Sequence, residues 1–291
     1  MILATGLTGM VGKYLQEILE VSNMEFMHLS RNELDLRNPD SIHRALAGKK
    51  FSHFIHLAAE TNVDLCETNP QHAYTSNYYA TKIIAEYCAQ IHARMIFIST
   101  SAVFGSEGKV RYHEMDVPSP TNIYGSSKCF AERAIQDICK NHLIVRASWM
   151  IGGGKERDNK FVGKILAQLN EGNTTFTAVF DKFGSITSAK HLATFIMNTF
   201  DSKFVGIKHF ASYDVCSRYD IAQLIIENIN AHCVVKPVSS ASYPLAAPRS
   251  TSEAIYSIIP SDILEEVSYS WKEIICHYLK DEFHVKKELF V

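Results

Sequence analysis

Apolar residues in the first half of the chain form short runs that alternate with segments of helical spacing. Short apolar runs bounded by polar or glycine-rich stretches are typical of buried strands. The predicted strands are residues 1–4, 25–29, 51–58, 95–99 and 142–146. The predicted helices are residues 12–21, 39–47, 69–92 and 124–140. Strands that alternate with helices predict βαβ units, and therefore an α/β fold with a Rossmann-like, doubly wound parallel sheet.

The second half of the chain is less regular. A polar, glycine-rich loop at 151–159 marks the boundary between two parts. The segments predicted after it are helices at 161–170, 189–200 and 217–229, strands at 175–180 and 205–211, and a proline-containing loop at 239–251. We expect residues 1–148 and 188–211 to form a dinucleotide-binding domain. We expect 149–187 and 212–291 to form a smaller, mostly C-terminal α/β lobe that binds the substrate.

Composition excludes several classes of protein. The chain has 291 residues, of which 46% are hydrophobic, enough for a large globular core. The 29 Lys and Arg against 31 Asp and Glu leave a net charge of −2, which argues against a nucleic-acid partner or an anionic membrane surface. We expect no membrane span and no secretory signal. The seven cysteines are scattered without a C-x-x-C pair, as expected for reduced thiols in a cytoplasmic protein.

A glycine-rich turn lies between the first predicted strand and the first predicted helix. Gly6, Gly9 and Gly12 follow the spacing G-x-x-G-x-x-G. Glycines let the backbone turn tightly and approach a pyrophosphate, and the N-terminus of the next helix offers free N–H groups to phosphate oxygens. We therefore expect these glycines, with Met10 and Val11 between them, to bind a dinucleotide cofactor.

The residues after the second strand indicate which dinucleotide is bound. An acidic side chain there would accept a hydrogen bond from the ribose 2′-hydroxyl of NAD(H). The chain instead has Ser30 and Arg31, with no acid before Glu33. Because a guanidinium suits a 2′-phosphate through charge-assisted bidentate hydrogen bonds, the sequence favours NADP(H) over NAD(H). Asp35 and Leu36 are expected near the adenine.

The pattern Tyr-x-x-x-Lys occurs twice, at Tyr78/Lys82 and at Tyr124/Lys128. Residues four apart share one face of a helix, so the lysine can lower the pKa of the phenol and can also hold a cofactor ribose. Only the second pair has candidate hydroxyl partners, Ser99, Thr100 and Ser101, at the end of a predicted strand, where ligands bind in parallel sheets. The second pair is therefore the candidate catalytic one, and the first is expected to be structural.

These motifs lie within a broader resemblance. The chain resembles the extended short-chain dehydrogenases/reductases and, among them, is most similar to the dTDP-4-dehydrorhamnose reductases. The matching segments are Thr5–Gly12, Leu57-Ala-Ala-Glu-Thr-Asn-Val-Asp64, Ile98-Ser-Thr-Ser-Ala-Val-Phe-Gly105, Asn122-Ile-Tyr-Gly-Ser-Ser-Lys128, 145–149, 159–162, 181–187 and 209–211. They follow the expected order over nearly the whole chain. The resemblance implies NADPH-dependent reduction of the 4-keto group of a nucleotide-activated deoxysugar, for polysaccharide biosynthesis.

The resemblance also implies roles for individual residues. Tyr124 would give a proton to the carbonyl oxygen, Lys128 would bind the nicotinamide ribose and tune Tyr124, and Thr100 would complete the catalytic set. The further cofactor contacts would be Ala58, Ala59, Thr61 and Asn77. The substrate contacts would be Val63, Thr100, Ser101, Trp149, Phe161 with the loop before it and, near the diphosphate, Arg249.

Four positions depart from the pattern common in these reductases. Ser101 stands where an acid commonly follows the catalytic threonine, and Ile186 stands in place of a proline. His191 replaces a common aspartate, and Arg218 replaces a common aromatic residue. These departures leave the identity of the sugar open, whereas the residues for hydride transfer are intact.

The same residues bear on other functions of the superfamily. A 4,6-dehydratase needs an acid to eliminate water, usually directly after the Ser/Thr, and Ser101 offers none. A combined epimerase-reductase needs a Cys/His pair beside the ketone, and no cysteine adjoins Thr100, so a nucleotide-sugar epimerase of the superfamily is a weaker alternative. A regulatory subunit that binds NADP without turnover, as in methionine adenosyltransferase, keeps the same residues and is the alternative from another class.

The remaining expectations concern metals and partners. None of the thirteen histidines lies in a metal-ligand spacing such as H-E-x-x-H, so no metal is expected. The expected small-molecule partner is a nucleotide sugar. The superfamily resemblance also implies a homodimer that pairs through long helices near 70–90 and 124–140.

Overall fold

The computed structural model describes residues 1–229, 232–261, 264 and 269–284. Its strands are β1 (Ile2–Thr5), β2 (Phe26–Leu29), β3 (His53–His56), β4 (Arg94–Thr100), β5 (His142–Ala147), β6 (Trp149–Ile151), β7 (Thr175–Val179), β8 (Phe183–Gly184), β9 (Ile186–Ser188), β10 (Gly206–Phe210), β11 (Cys216–Ser217) and β12 (Val234–Val238). Its α-helices are α1 (Met10–Val21), α2 (Pro39–Leu46), α3 (Val63–Thr68), α4 (Pro70–Ala73), α5 (Ala80–Gln90), α6 (Ile123–Ile138), α7 (Gly154–Arg157), α8 (Phe161–Asn170), α9 (Ala189–Asn198), α10 (Arg218–Ile229) and α11 (Trp271–Phe283). Residues 285–291, which were assigned to the second lobe from the sequence, lie outside the described residues.

Six parallel strands form the central sheet in the order β10–β5–β4–β3–β1–β2. Helices cover both faces, so the strands are apolar on both sides, and Leu3 and Ala4 of β1 are both fully buried. One face packs against α1 and α9 through a hydrophobic cluster that includes Leu192. The other face packs against α2, α5 and α6 through a second cluster that includes Ile135. The predicted α/β fold with a parallel, doubly wound sheet is confirmed.

The chain connections create a crevice at one edge of this sheet. From β1 the chain passes through α1 to β2, and from β2 it passes through α2 to β3 on the other side of β1. In open α/β sheets, ligands bind outside the carboxyl ends of the strands at such a reversal of strand order. The carboxyl ends of β1 and β3 therefore mark the position expected for a ligand.

The predicted helix at 69–92 is divided into three parts. α4 begins after Asn69, whose side chain accepts a backbone hydrogen bond and caps the helix. A π-helical turn, Tyr74–Tyr79, joins α4 to α5 without a break. The separate helix α3 precedes them and is capped by Asn62, which accepts a hydrogen bond from the Leu65 nitrogen at 3.0 Å. α3 was not predicted because six residues are too few to show helical periodicity.

The second half of the chain builds three short strand pairs, β6 with β9, β7 with β12 and β8 with β11. They pack with α8, α10 and α11 around a third hydrophobic cluster that includes Ile165, Ile225 and Ile275. β6, β8, β9 and β11 have only two or three residues each, too few for an alternating pattern to be recognised. The prediction of a plain loop at 151–159 is wrong, because the segment contains α7. Within the described ranges, no helix has the length and hydropathy needed to cross a bilayer.

Candidate active site

A cavity of about 1210 Å³ opens at the carboxyl ends of the central strands. It is larger than the pockets of about 300–1,000 Å³ that hold one drug-sized ligand, so it has room for a dinucleotide and a second molecule. Its wall comes from the segments after β1 to β5, from α6 and α7, and from the start of α10. The predicted cofactor residues that line it are Gly6, Gly9, Met10, Val11, Gly12, Ser30, Arg31, Asp35, Leu36, Ala58, Ala59, Thr61, Tyr124 and Lys128.

The glycine-rich turn forms one wall of this cavity. Gly6 has a φ of +76°, a left-handed conformation that favours glycine, and a Cβ there would lie 2.7 Å from the Ala58 nitrogen. A Cβ at Gly12 would lie 2.3 Å from the Gly6 carbonyl oxygen, so α1 packs closely against the turn. α1 begins after Gly9, which has no side chain with which to cap the helix. The first N–H groups of α1 are therefore available to an anionic ligand.

Charged residues after β2 surround the end of the cavity where the adenosine ribose is expected. The Glu33 carboxylate turns away and accepts hydrogen bonds from the Ser30 nitrogen (2.9 Å) and hydroxyl (2.7 Å). Asp35 is paired with Arg37 at 2.7 Å, and this hydrogen bond lowers the pKa of Asp35 to about 2. Among the described residues, the Arg31 guanidinium has neither a hydrogen bond nor an ion pair. Its donors are thus available to a ligand, and Arg37 is a second cation that sequence reasoning missed.

Thr100 and Tyr124 face the same cavity from β4 and α6. Asn122 caps α6, because its side-chain oxygen accepts a hydrogen bond from the Gly125 nitrogen at 2.9 Å. A Cβ at Gly125 would lie 2.0 Å from the Ala102 carbonyl oxygen, so only glycine lets α6 pack so closely against the turn after β4. This close packing places the phenol of Tyr124 near the hydroxyl of Thr100, which favours the ionised form of the phenol.

The pKa of Tyr124 determines whether the phenol is protonated near neutral pH. Burial raises this pKa to about 12, and the neighbouring Thr100 hydroxyl opposes the shift only in part. Burial therefore outweighs any lowering of the phenol pKa by Lys128, and the predicted effect of Lys128 stays a prediction. A phenol with this pKa keeps its proton near neutral pH and can act as a proton donor.

Lys128 lies one helical turn after Tyr124 and is only 2% exposed. Its ammonium donates a hydrogen bond of 2.7 Å to the Ile98 carbonyl and lies 3.8 Å from the centre of the Phe97 ring. Burial lowers the pKa of Lys128 to about 7, although the carboxylate of Glu132 opposes this shift. The side chain thus lines the cavity as a cation that can lose its proton near neutral pH.

The other Tyr-x-x-x-Lys pair lies away from the cavity. The Tyr78 ring packs against the rings of Tyr79 and Phe130. The Lys82 ammonium forms an exposed ion pair with Glu86 at 3.9 Å. Both side chains therefore make local contacts on the helix surface.

The predicted cofactor residue Asn77 does not line the cavity. Its side-chain oxygen accepts a hydrogen bond from the Glu60 nitrogen at 2.8 Å, and its nitrogen donates to the Glu60 carbonyl at 3.0 Å. The same nitrogen donates to the Ser127 hydroxyl at 3.1 Å. Asn77 therefore supports, from behind, the segment that carries Ala58, Ala59 and Thr61.

Most of the predicted substrate residues also do not line the cavity. Thr100 lines the cavity, whereas the residues that do not are Val63, Ser101, Trp149, Phe161 and Arg249. Val63 is the first residue of α3. The buried Ser101 hydroxyl donates a hydrogen bond of 3.2 Å to the hydroxyl of Ser148, which does line the cavity.

Trp149 and Phe161 support Arg218, a cavity residue that was not predicted. The guanidinium carbon of Arg218 lies 3.9 Å from the centre of the Trp149 ring and 5.0 Å from that of the Phe161 ring. Arg218 therefore covers both rings and takes their place in the cavity wall. Arg249 instead pairs with Asp64 at 3.0 Å. The sequence signal for Arg218 was its departure from the common aromatic residue.

Other cavity residues were also missed. The hydroxyl of Ser76 is 4% exposed and has no hydrogen-bond partner among the described residues. It is presented by the π-helical turn, a feature often found at functional sites, but no local sequence pattern marks it. Arg157 and Lys160 also line the cavity, but they belong to the loop before Phe161, which the resemblance placed near the sugar. No group of three or more His, Cys, Asp or Glu among the described residues is placed to hold a metal.

A parallel sheet thus brings a glycine-rich turn, a tyrosine and a buried lysine to one crevice. This combination defines an oxidoreductase of the short-chain dehydrogenase/reductase class, with a Rossmann-like fold. The particular family follows from comparison with known proteins.

The RmlD substrate binding domain family matches residues 1–283. The chain is 32% identical over 251 residues to dTDP-4-dehydrorhamnose reductase of Mycolicibacterium smegmatis, and the match covers 85% of this chain and 75% of that protein. The chain belongs to the RmlD substrate binding domain family.

Two solved structures are similar over nearly the full length. A dTDP-4-dehydrorhamnose reductase from Yersinia enterocolitica is 42% identical with a TM-score of 0.90, covering 96% of this chain and 98% of that chain. A dTDP-4-dehydrorhamnose reductase from Bacillus anthracis, in complex with NADP, is 27% identical with a TM-score of 0.88 and the same coverage. The predicted resemblance to these reductases is confirmed.

Proposed function

We propose that the protein reduces the 4-keto group of a nucleotide-activated 6-deoxysugar with NADPH, as a dTDP-4-dehydrorhamnose reductase does. The observation that carries this proposal is that Thr100, Tyr124 and Lys128 face the same cavity as the glycine-rich turn. Relatives named as such reductases align over nearly the whole chain. The product would serve polysaccharide biosynthesis.

The donors of the cavity suit NADP(H). The free N–H groups after Gly9 suit a pyrophosphate, and the guanidinium of Arg31 suits a ribose 2′-phosphate. The small side chains of Ala58 and Ala59 leave the adjoining wall open. The relative from Bacillus anthracis is itself an NADP complex. When bound, NADPH supplies the hydride for the carbonyl carbon.

The residues of the chain then hold and move the proton. Tyr124 keeps its proton on Oη near neutral pH and donates it to the carbonyl oxygen as negative charge develops there. Thr100 lines the cavity beside the phenol and can donate a hydrogen bond to the same carbonyl oxygen. Lys128 binds the ribose hydroxyls, and its charge stabilises the phenolate that remains after proton transfer.

The same proposal divides the chain into two functional parts. Residues 1–148 and 188–211 bind the cofactor, and residues 149–187 and 212–291 bind the sugar. The separate hydrophobic clusters around the central sheet and around α8, α10 and α11 support this division.

Location and assembly belong to the same proposal. All seven cysteines are free and buried thiols, which supports a cytoplasmic location. The aromatic side chains of Tyr79 and Phe130 are 52% and 44% exposed on the long helices, which supports the predicted homodimer.

The test is NADPH oxidation by the purified protein, followed by the loss of NADPH absorbance. The substrates are dTDP- and UDP-linked 4-keto-6-deoxy sugars, each with and without prior 3,5-epimerisation. Rapid oxidation with one of them would establish the reaction and identify the nucleotide. Tight NADPH binding without oxidation by any of them would contradict the proposal and favour the regulatory alternative.

A further inference from the structure

Arg218 presents an unused set of hydrogen-bond donors to the cavity. Its guanidinium rests against the rings of Trp149 and Phe161, contacts that use its face and leave its edges free. Among the described residues, its N–H groups make no hydrogen bond and no ion pair. Arg218 is half-buried, and it lines the cavity. An acceptor supplied by a ligand would satisfy these donors.

An arginine at the position of Arg218 in α10 does not stabilise the helix. It is the first residue of the helix, where the helix dipole disfavours a positive charge. The N-terminus is already capped, because the Ser217 hydroxyl accepts a hydrogen bond from the Asp220 nitrogen at 3.1 Å. The Asp220 carboxylate in turn accepts one from the Ser217 nitrogen at 2.8 Å. The cation and the positive end of the dipole therefore act at the same point of the cavity wall.

The neighbouring charges leave this cation without a direct partner. Arg249, the cation expected at the substrate diphosphate, is paired with Asp64, and Lys182 donates to the Arg249 carbonyl at 2.8 Å. Glu253 favours the charged form of Arg218 through space but makes no ion pair with it. Burial lowers the pKa of Arg218 to about 10, so the guanidinium stays charged at neutral pH.

We infer that Arg218 binds a phosphate oxygen of the substrate diphosphate, since a 6-deoxysugar itself carries no oxyanion. A planar guanidinium with free edges matches a phosphate group through two parallel hydrogen bonds. Arg218 lines the cavity that also holds Tyr124 and Thr100, and it covers Trp149 and Phe161, the residues expected at the substrate, so we assign its anion to the substrate and not to the cofactor. An aromatic residue at this position could not form this contact. The inference rests on the proposed function for the identity of the substrate.

The test is calorimetric titration of wild-type protein and Arg218→Gln, both saturated with NADP⁺. The probes are dTDP, dTDP-glucose and dTDP-glucuronate, with the matching uridine series. Glutamine removes the charge but keeps a polar side chain. Loss of a charged, bidentate contact is expected to weaken binding by about 10-fold to 100-fold.

The probes distinguish the diphosphate from a carboxylate on the sugar. If Arg218 binds the diphosphate, Arg218→Gln weakens all three probes of a series in the same proportion, and this pattern supports the inference. Weakening of the glucuronate alone would assign Arg218 to a sugar carboxylate and would contradict the inference.

Two further variants control the experiment. Arg111→Gln removes another guanidinium stacked on an aromatic ring, that of Tyr256 at 4.5 Å, but Arg111 does not line the cavity, so binding should be unchanged. Arg218→Lys keeps the charge but loses the bidentate geometry, and it should weaken the affected probes several-fold. If Arg218→Gln does not fold, Arg218→Lys decides the question.

Three further results would overturn the inference. The first is wild-type affinity of Arg218→Gln for every probe. The second is the same result with Arg218→Lys where the glutamine variant does not fold. The third is failure of both nucleotide series to bind the wild type. The titration needs no turnover, so it separates this inference from the proposed function. If Arg218→Gln loses affinity but the wild type reduces no keto sugar, only the proposed function is refuted. If the wild type reduces a keto sugar but binding does not depend on Arg218, only this inference is refuted.

Discussion

The guanidinium of Arg146 binds the carboxylate of Glu132 through two hydrogen bonds, of 3.0 and 2.7 Å. Both side chains are only 2% exposed, and the Ser99 hydroxyl donates to the same carboxylate. Glu132 lies one helical turn after Lys128 in α6. A buried ion pair between α6 and β5 therefore places a fixed negative charge behind the lysine that lines the cavity.

Glu132→Gln should destabilise the protein strongly. The substitution leaves the Arg146 charge buried without its counter-ion, and removal of one partner of a buried pair typically costs about 3–5 kcal/mol. The free energy of unfolding from urea denaturation measures the effect. Glu86→Gln is the matched control, because it breaks the exposed ion pair with Lys82 and should cost less than about 0.5 kcal/mol. Equal losses in the two variants would contradict this account of the buried pair.

Lys128→Met should stabilise the protein, most of all at low pH. In the folded state the pKa of Lys128 is lowered to about 7 from its usual 10.5, so folding disfavours the charged form. The penalty is complete below about pH 7, where both the folded and the unfolded states carry the charge. It decreases as the pH rises and disappears above about 10.5, where both states are neutral.

Thermal and urea unfolding over this pH range measure the predicted difference. At pH 6 the methionine variant should be more stable than the wild type by about 1–2 kcal/mol, and the two should converge towards pH 10.5. Lys82→Met, in the exposed Tyr-x-x-x-Lys pair, should show no such pH-dependent difference. A stability gap for Lys128→Met that stays constant or widens with rising pH would contradict the burial argument.

Tyr124→Phe should abolish turnover while cofactor binding stays nearly intact. The variant lacks the phenolic proton, and loss of a general acid typically costs about 100-fold to 10,000-fold in rate. Stopped-flow NADPH oxidation measures kcat, and fluorescence titration measures NADPH affinity. Tyr78→Phe is the control, because that phenol belongs to the match outside the cavity and should leave kcat unchanged. A kcat for Tyr124→Phe within a few-fold of the wild type would refute the proton-donor assignment.

The fold was largely predictable because hydrophobic periodicity reports burial from local sequence. Each strand of the central sheet was predicted to within two residues at each end, and α8 agrees with its predicted range. In the second lobe β7 was predicted, but β6, β8, β9 and β11 were missed, because a strand of two or three residues such as Cys216–Ser217 is defined by its partner and not by its own pattern. The π-helical turn was also missed, since its residues still show helical spacing.

The candidate site was predictable where its chemistry lies in local motifs. Thr100 and Tyr124 were identified from a strand end and from a helical spacing, and both line the cavity. Whether a polar side chain faces a ligand or a neighbour depends instead on residues far away in sequence. Asn77 is turned away by Ser127, and the Arg249 side chain by Asp64. Local sequence could not reveal either contact.

Arg31→Ala should weaken NADPH binding selectively. The Arg31 guanidinium is without a protein partner among the described residues and faces the cavity, so a ribose 2′-phosphate can use both of its edges. Loss of this contact should raise the Kd for NADPH by about 10-fold to 100-fold, because hydrogen bonds to charged groups contribute about 1.5–3 kcal/mol. The Kd for NADH, which has no 2′-phosphate, should stay within about two-fold of the wild type.

Fluorescence titration with both cofactors gives the ratio of the two Kd values directly. Arg37→Ala is the informative control, because Arg37 also lines the cavity but is bound to Asp35. Its removal should change the NADPH/NADH ratio less than that of Arg31, since the guanidinium must first leave its carboxylate to reach a phosphate. An equal rise in the Kd values for NADPH and NADH with Arg31→Ala would show that the side chain supports the cavity wall without contacting the 2′-phosphate. A larger change in this ratio with Arg37→Ala than with Arg31→Ala would show that Arg37 contacts the 2′-phosphate.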